Sequence, residues 1–247
     1  MFIEHLTNHH DIPHFVWQVV CSSLIWLGLY KLLRNAGGHK KWDGTKKGLW
    51  VYSGPEWSCR VVTLIHGLMV IVVASSVTPL SDLIPGGPNS REQEMLFALS
   101  LGYFAFDTGW CFFYGWPSFL MFSHHLLSIV ALLIPLLIGR SGAETAAALL
   151  GTEITNPLLQ IRWFLRQAGW YEGTRLGKAN DLTFMYLFCI MRVAAGGVLL
   201  IKTTYSPHPH VLIKVVGSFI YLVSCVFAWQ IVRFAIRKYV FSKQSPE

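Results

Sequence analysis

Residues Pro117–Ile138 read PSFLMFSHHLLSIVALLIPLLI, a run without a single Lys, Arg, Asp or Glu. A helix rises 1.5 Å per residue, so a run of this length crosses roughly 30 Å of hydrocarbon. Six further runs are similar: Phe15–Leu33, Val61–Val77, Met95–Tyr114, Ala143–Leu165, Leu182–Ile201 and Val211–Val232. In hydrocarbon the backbone has no water to bond, and a helix satisfies its own polar groups. Alternating ten-residue strands, the mark of a membrane barrel, are absent. The expected fold is an all-α, multi-pass membrane helix bundle of about seven transmembrane helices. Composition agrees. Of 247 residues, 53% are hydrophobic and 13% charged, against roughly 25% charged in soluble domains.

The formal charge of +7 would raise the question of nucleic acid in a soluble protein. Here the basic residues sit in loops between apolar runs, so no nucleic-acid partner is expected. With seven spans, Lys31, Arg34, Lys40, Lys41, Lys46, Lys47, Arg60, Arg162, Arg166, Arg175, Lys178, Arg233, Arg237, Lys238 and Lys243 fall on one side. Arg91, Arg140, Lys202 and Lys214 fall on the other, and Arg192 lies within a span. The positive-inside rule then predicts a lumenal N-terminus and a cytosolic C-terminus, in the endoplasmic reticulum or another endomembrane. The first fourteen residues lack a basic segment, so no cleavable signal peptide is expected. Five cysteines without a CxxC pair are taken as buried free thiols. The chain divides into an N-terminal helix with a basic cytosolic loop (1–56), a bundle domain (57–238) and a cytosolic tail (239–247).

Ionisable groups inside a span cost about 3 kcal/mol unless they face a partner or a cavity, which makes them site candidates. The set is His66, Asp107, His124, His125, Glu153 and Arg192, with Asn156 and Gln160 beside Glu153. Counted from the basic ends of their spans, they lie roughly 8–18 Å deep. Five helices thus place polar groups in one slab, where they are expected to line one cavity. Glu153, Asn156 and Gln160 share a helix face at i, i+3, i+7, as do Ser100, Tyr103 and Asp107. Tyr186, Cys189, Arg192 and Gly196 form a comparable stripe. Pro157 has no N–H to offer the Glu153 carbonyl, so a kink is expected there.

An imidazole beside a carboxylate is the arrangement of a general base. His124, His125 and Asp107 are therefore the candidate catalytic residues. His66, Glu153, Asn156, Gln160 and Arg192 are the candidate substrate-binding residues. Taken alone, His66 is equally a packing residue, and Arg192 a counter-charge for Glu153 or Asp107. No HExxH or supporting second-shell pattern points to zinc, so no metal and no other cofactor is expected. Seven helices also fit a G-protein-coupled receptor, but Asp-Arg-Tyr and Asn-Pro-x-x-Tyr are missing from their places.

Four ordered segments carry a family likeness: Glu56-Trp57-Ser58-Cys59-Arg60 with His66-Gly67; Leu101-Gly102-Tyr103-Phe104-Ala105-Phe106-Asp107; His124-His125-Leu126-Leu127-Ser128; and Glu153-Ile154-Thr155-Asn156-Pro157-Leu158-Leu159-Gln160-Ile161-Arg162-Trp163. Together they resemble the TLC-domain family of membrane proteins, which includes the ceramide synthases. The resemblance implies a six-helix TLC bundle made by spans two to seven, with the first helix outside it. In ceramide synthases the counterpart of His124-His125 is a catalytic pair, and the next helix carries His-Asp-x-x-Asp. This sequence has Thr152-Glu153-Ile154-Thr155-Asn156 there, so an acid is kept while a His and an Asp are replaced. The expected function is membrane lipid homeostasis, by binding or regulating phospholipid or sphingolipid without ceramide synthase activity. The alternative is a lipid acyltransferase drawing on acyl-CoA, with His124 or His125 as base and Asp107 orienting it. Arg192 or Asn156 would then stabilise developing charge, and Lys40–Lys47 would attract CoA phosphates. On either reading the partner is a membrane lipid or acyl chain, and catalysis is left open.

Overall fold

A computed structural model describes residues 11–36, 54–78, 83–115 and 119–239. The basic stretch Lys40–Lys47, the tail with Lys243, and His9 and His10 lie outside the described residues. The helices are α1 (Asp11–Ala36), α2 (Pro55–Val77), α3 (Arg91–Tyr114), α4 (Phe119–Ile138), α5 (Gly142–Glu153), α6 (Asn156–Gln167), α7 (Arg175–Phe188), α8 (Gly196–Tyr205) and α9 (Val211–Tyr239). A π-helical segment, Cys189–Ala195, joins α7 to α8 without a break in the rod. Six of these rods are long and apolar enough to span a bilayer: the Phe15–Ala36 part of α1, then α2, α3, α4, Arg175–Tyr205 and α9. The protein is an all-α, multi-pass membrane bundle.

The fifth expected span, Ala143–Leu165, is not one helix. It breaks at Ile154–Thr155 into α5 and α6. Pro157 sits in the first turn of α6, where its missing N–H costs nothing, and cannot serve as the interior of a longer helix. The pair still traverses the bundle, as its two ends show. At one end the loops before α3, α5 and α9 meet. Arg140 donates to the Gly86 carbonyl through Nε (3.0 Å) and a terminal nitrogen (2.8 Å). The Gly86 N–H donates to Glu144 Oε1 (2.8 Å), and Ser141 N–H to the Gly87 carbonyl (2.7 Å). Gly86 has φ +84°, and a Cβ there would lie 2.5 Å from the His208 carbonyl carbon, so only glycine fits. At the other end Arg60 at the start of α2 donates to Gln160 of α6 (3.4 Å). There Asp181 of α7 accepts from Tyr171 (2.7 Å) and Tyr239 (2.7 Å) and pairs with Arg162 (3.3 Å) and Lys238 (3.1 Å). Since α5 begins at the first end and α6 finishes at the second, the broken pair does the work of one span.

Helix α1 runs parallel to α3. Ser22 Oγ donates to the Leu99 carbonyl (2.8 Å), and Trp26 Nε1 donates to the same oxygen (3.2 Å). Further along, Trp26 meets Tyr103 edge-on and Tyr30 packs on Phe106, both with ring centroids 5.7 Å apart. The first helix, expected outside the six-helix bundle, therefore gives Trp26 and Tyr30 to the central apolar cluster, alongside Val62, Val70, Phe97 and Leu101. Gly102 permits the close approach, for a Cβ there would lie 2.5 Å from Ser22 Cβ and 2.8 Å from the Ser23 nitrogen.

Gly102→Val should destabilise the detergent-solubilised protein by about 1–3 kcal/mol through overpacking, seen as a lower melting temperature. Gly28→Val, on α1 where a Cβ meets nothing within 4 Å, should leave it unchanged. Equal behaviour of the two variants would refute the packing role of Gly102.

Candidate functional site

The polar residues of the slab form two clusters. The first is a chain that follows the α5–α6 break. Glu153 ends α5, and its Oε2 accepts from Asn156 Nδ2 at the head of α6 (2.9 Å). Asn156 Oδ1 accepts from Gln160 Nε2 (2.7 Å), and Gln160 Oε1 accepts from Arg60 of α2 (3.4 Å). Arg60 also pairs with Glu56 at 3.2 Å, which is exposed. At the inner end, His66 is wholly buried and its Nδ1 stands 3.7 Å from Glu153 Oε2, a close approach but longer than a hydrogen bond. The His66 ring stacks on Tyr103 with centroids 3.7 Å apart and planes 10° apart, and meets Trp26 and Phe104 edge-on.

The second cluster joins α2, α3 and α4. Asp107 Oδ2 lies 3.5 Å from His125 Nδ1, and Asp107 Oδ1 accepts from the Cys59 thiol at 3.5 Å. Tyr103 and Phe104 stand between the two clusters. Tyr103 also donates to Thr63 (3.0 Å), and Phe104 meets both His66 and His125 edge-on. Among the described residues, His124 and Arg192 make no hydrogen bond to either cluster, but both lie within electrostatic range of Glu153. The His124 ring packs edge-on against Phe227 of α9, 6.1 Å from the His125 centroid. Arg192 lies over the Phe188 ring at 4.9 Å and donates to the Thr152 carbonyl.

A cavity of about 530 Å³ opens between α4, α5, the π-helical segment, α8 and α9. Small residues make it: Ala147, Ala148 and Gly151 on α5 face Ala195, Gly196 and Gly217 across it. Aliphatic side chains such as Ile134, Leu199, Ile213 and Ile220 cover most of the wall. Polar residues on the wall include Thr152, Arg192, Glu144, Lys202, Tyr221 and Ser224. The Arg192 Nε–H has no partner among the described residues. Arg192 is thus the one expected site residue that lines this cavity; His66, Asp107, His124, His125, Glu153, Asn156 and Gln160 do not. Between the two clusters stand the Tyr103 and Phe104 rings.

The bundle thus combines six rods long enough to span a bilayer, a broken, carboxylate-bearing α5–α6 pair and a buried His–Asp contact. The TLC domain matches residues 56–236, and the chain belongs to the TLC-domain family. It is similar to human TLC domain-containing protein 4, with 24% identity over 182 residues, covering 69% of this chain and 67% of that protein.

Sequence reasoning passed over three groups that matter here. Trp26 of the first helix meets His66 edge-on and completes the box begun by Tyr103, already placed on the Asp107 face. Cys111 shares a helix face with Asp107 at i, i+4, a spacing that was available as a signal. The runs Ala146-Ala147-Ala148 and Ala194-Ala195-Gly196-Gly197 look featureless as apolar sequence, yet they hollow out the cavity.

Replacing Glu153 by Leu removes the acceptor for Asn156 and should cost about 1–3 kcal/mol of stability. Glu153→Gln, whose carbonyl can still accept, should stay close to wild type. Melting in detergent and the yield of monodisperse protein measure both. A Leu variant as stable as the Gln variant would show that the Glu153–Asn156 contact does not hold the break.

Proposed function

We propose that this protein serves membrane lipid homeostasis by holding an acyl chain of a phospholipid or sphingolipid in the cavity between α4, α5, α8 and α9. The cavity is the observation that carries this reading. A mostly apolar hollow of a few hundred Å³ with a few placed polar groups is the general form of a small-molecule site. Its wall suits an alkyl chain. Arg192, with an unpaired Nε–H, suits the carbonyl or acidic oxygen at the chain's head, and an ionisable residue within a span is a functional candidate on its own account. Thr152 and Asn156, where ceramide synthases carry a His and an Asp, support a role without ceramide synthase activity.

One observation favours the acyltransferase reading. His125 Nδ1 stands 3.5 Å from Asp107 Oδ2, as a base and its orienting carboxylate would. Neither residue lines the cavity, and for that reason binding is preferred to transfer. The proposed setting is the endoplasmic reticulum or another endomembrane. The N-terminus is lumenal and the C-terminus cytosolic in this proposal. The grouping of Arg60, Arg162 and Lys238 at one end of the bundle, with Arg140 and Lys214 at the other, supports that orientation.

Ala147→Phe combined with Gly217→Leu should fill the cavity without touching either polar cluster. Mass spectrometry of protein purified in mild detergent should find a bound lipid on the wild type and loss of most of it from the filled variant. A monodisperse filled variant that keeps the same lipid at the same level would sink the cavity reading. Orientation is tested separately with a tag at each end. Protease added outside sealed microsomes should remove only the C-terminal tag; removal of both would overturn the topology.

A further inference from the structure

A cluster away from the cavity has the make-up of a cation site. Asp107 and Cys111 lie one turn apart on α3 and share a face. His125 joins them from α4, and donor atoms of the three all lie within 4.8 Å of one another. Two donors set tetrahedrally around zinc, at bond lengths of about 2.0–2.3 Å, stand about 3.3–3.8 Å apart. The 3.5 Å between His125 Nδ1 and Asp107 Oδ2 is already at that spacing. Cys59 of α2 borders this three-residue group, its Sγ 3.5 Å from Asp107 Oδ1, and completes a set of four by turning its thiol inward. All four residues are buried.

Without a metal, the carboxylate is weakly served. Among the described residues its side chain meets only a thiol and an imidazole, each at 3.5 Å, and a thiol is a poor donor. A carboxylate in a span needs better compensation than that. We propose that Cys59, Asp107, Cys111 and His125 bind one divalent cation of the zinc class. Two thiolates with an imidazole and a carboxylate make a soft-to-borderline set that selects zinc over magnesium or calcium. The two thiols release their protons to solvent as they ligate. Four protein ligands close the coordination sphere, so the role is structural, tying α2 to α3 and α4. None of the four lines the cavity, so the site stands or falls independently of lipid binding. It also takes up His125 Nδ1 and Asp107, the contact that would orient a His125 base.

The full chain, purified in mild detergent through a tag other than polyhistidine, should carry about one zinc per chain by elemental mass spectrometry, as a closed four-ligand site requires. After chelator stripping, added Co²⁺ should give a thiolate-to-cobalt charge-transfer absorption. Cys111→Ser should weaken that band, and Cys59→Ser with Cys111→Ser should abolish it. His124→Ala, whose ring faces Phe227 instead, should leave it intact. Wild-type protein that takes up less than a few tenths of an equivalent and shows no charge-transfer band would overturn the proposal, as would a double Ser variant that retains full metal uptake. The wild-type stoichiometry and spectrum decide the matter by themselves if a Ser variant does not fold.

Discussion

Glu153 and Asn156 hold the two halves of a broken span together in a medium with no water to take the place of either. The break frees backbone groups that an unbroken helix would satisfy, and in hydrocarbon each such group is expensive. Here the freed region is enclosed by protein. Gly67 of α2 packs beside Asn156 and Pro157, where a methyl group would sit at ordinary contact distance, 3.5–3.6 Å. Gln160 and Arg60 carry the polar chain outward to Glu56 at the surface. A charge near the middle of the bundle is thus tied by short links to the nearest water. The stacking of His66 on Tyr103 and the seating of Trp26 follow from the same centre, because His66 is held against Glu153 on one side and needs an aromatic wall on the other.

The cavity depends on a different local rule. Between α7 and α8 the chain takes up a π-helical segment, a feature that recurs at functional sites in helices. It widens the turn at Cys189–Ala195 and shifts the facing of the residues that follow. Arg192 and Ala195 come to line the hollow together with Gly196. Large residues at 147, 148, 151, 196 and 217 would close it. Side chains of ordinary size at those positions would also let α5, α8 and α9 interlock, and the resulting bundle would be better packed and empty of any ligand space. The absence of side-chain volume is therefore the site's defining chemistry, together with one guanidinium.

Much of this was legible from residues alone. Helix runs follow from hydrocarbon thickness, and depth follows from a fixed rise per residue, so Asp107 and the His124–His125 pair fall at matching levels from the sequence alone, while His66 and Glu153 fall at opposite edges of the same slab, roughly 8 and 18 Å deep. Pro157 marked the broken span, though not the residue of the break. That is marked by the Asn156–Glu153 bond across the break, which depends on rotamers and neighbours. Facing was harder. Depth says nothing about the rotation of each rod, and rotation decides that Tyr103 and Phe104 stand between the two clusters. Cavities are harder still, because a run of Ala and Gly has the same hydropathy whether it packs against a neighbour or stands off from one.

His124 and His125 show how far adjacency in sequence misleads. Successive residues on a helix point about 100° apart, so two neighbours need not share the same partners. His125 turns inward to Asp107 and the α2–α3 seam, while His124 turns toward Phe227 on α9. Their rings are 6.1 Å apart and nearly perpendicular. The pair that reads as a unit in sequence is divided between two interfaces of α4. His125 belongs with the thiols and carboxylate that join α2, α3 and α4, while His124 belongs with the packing of α9. The acid–imidazole contact with Asp107 is a property of His125, while His124 lies within electrostatic range of Arg192 and Glu153.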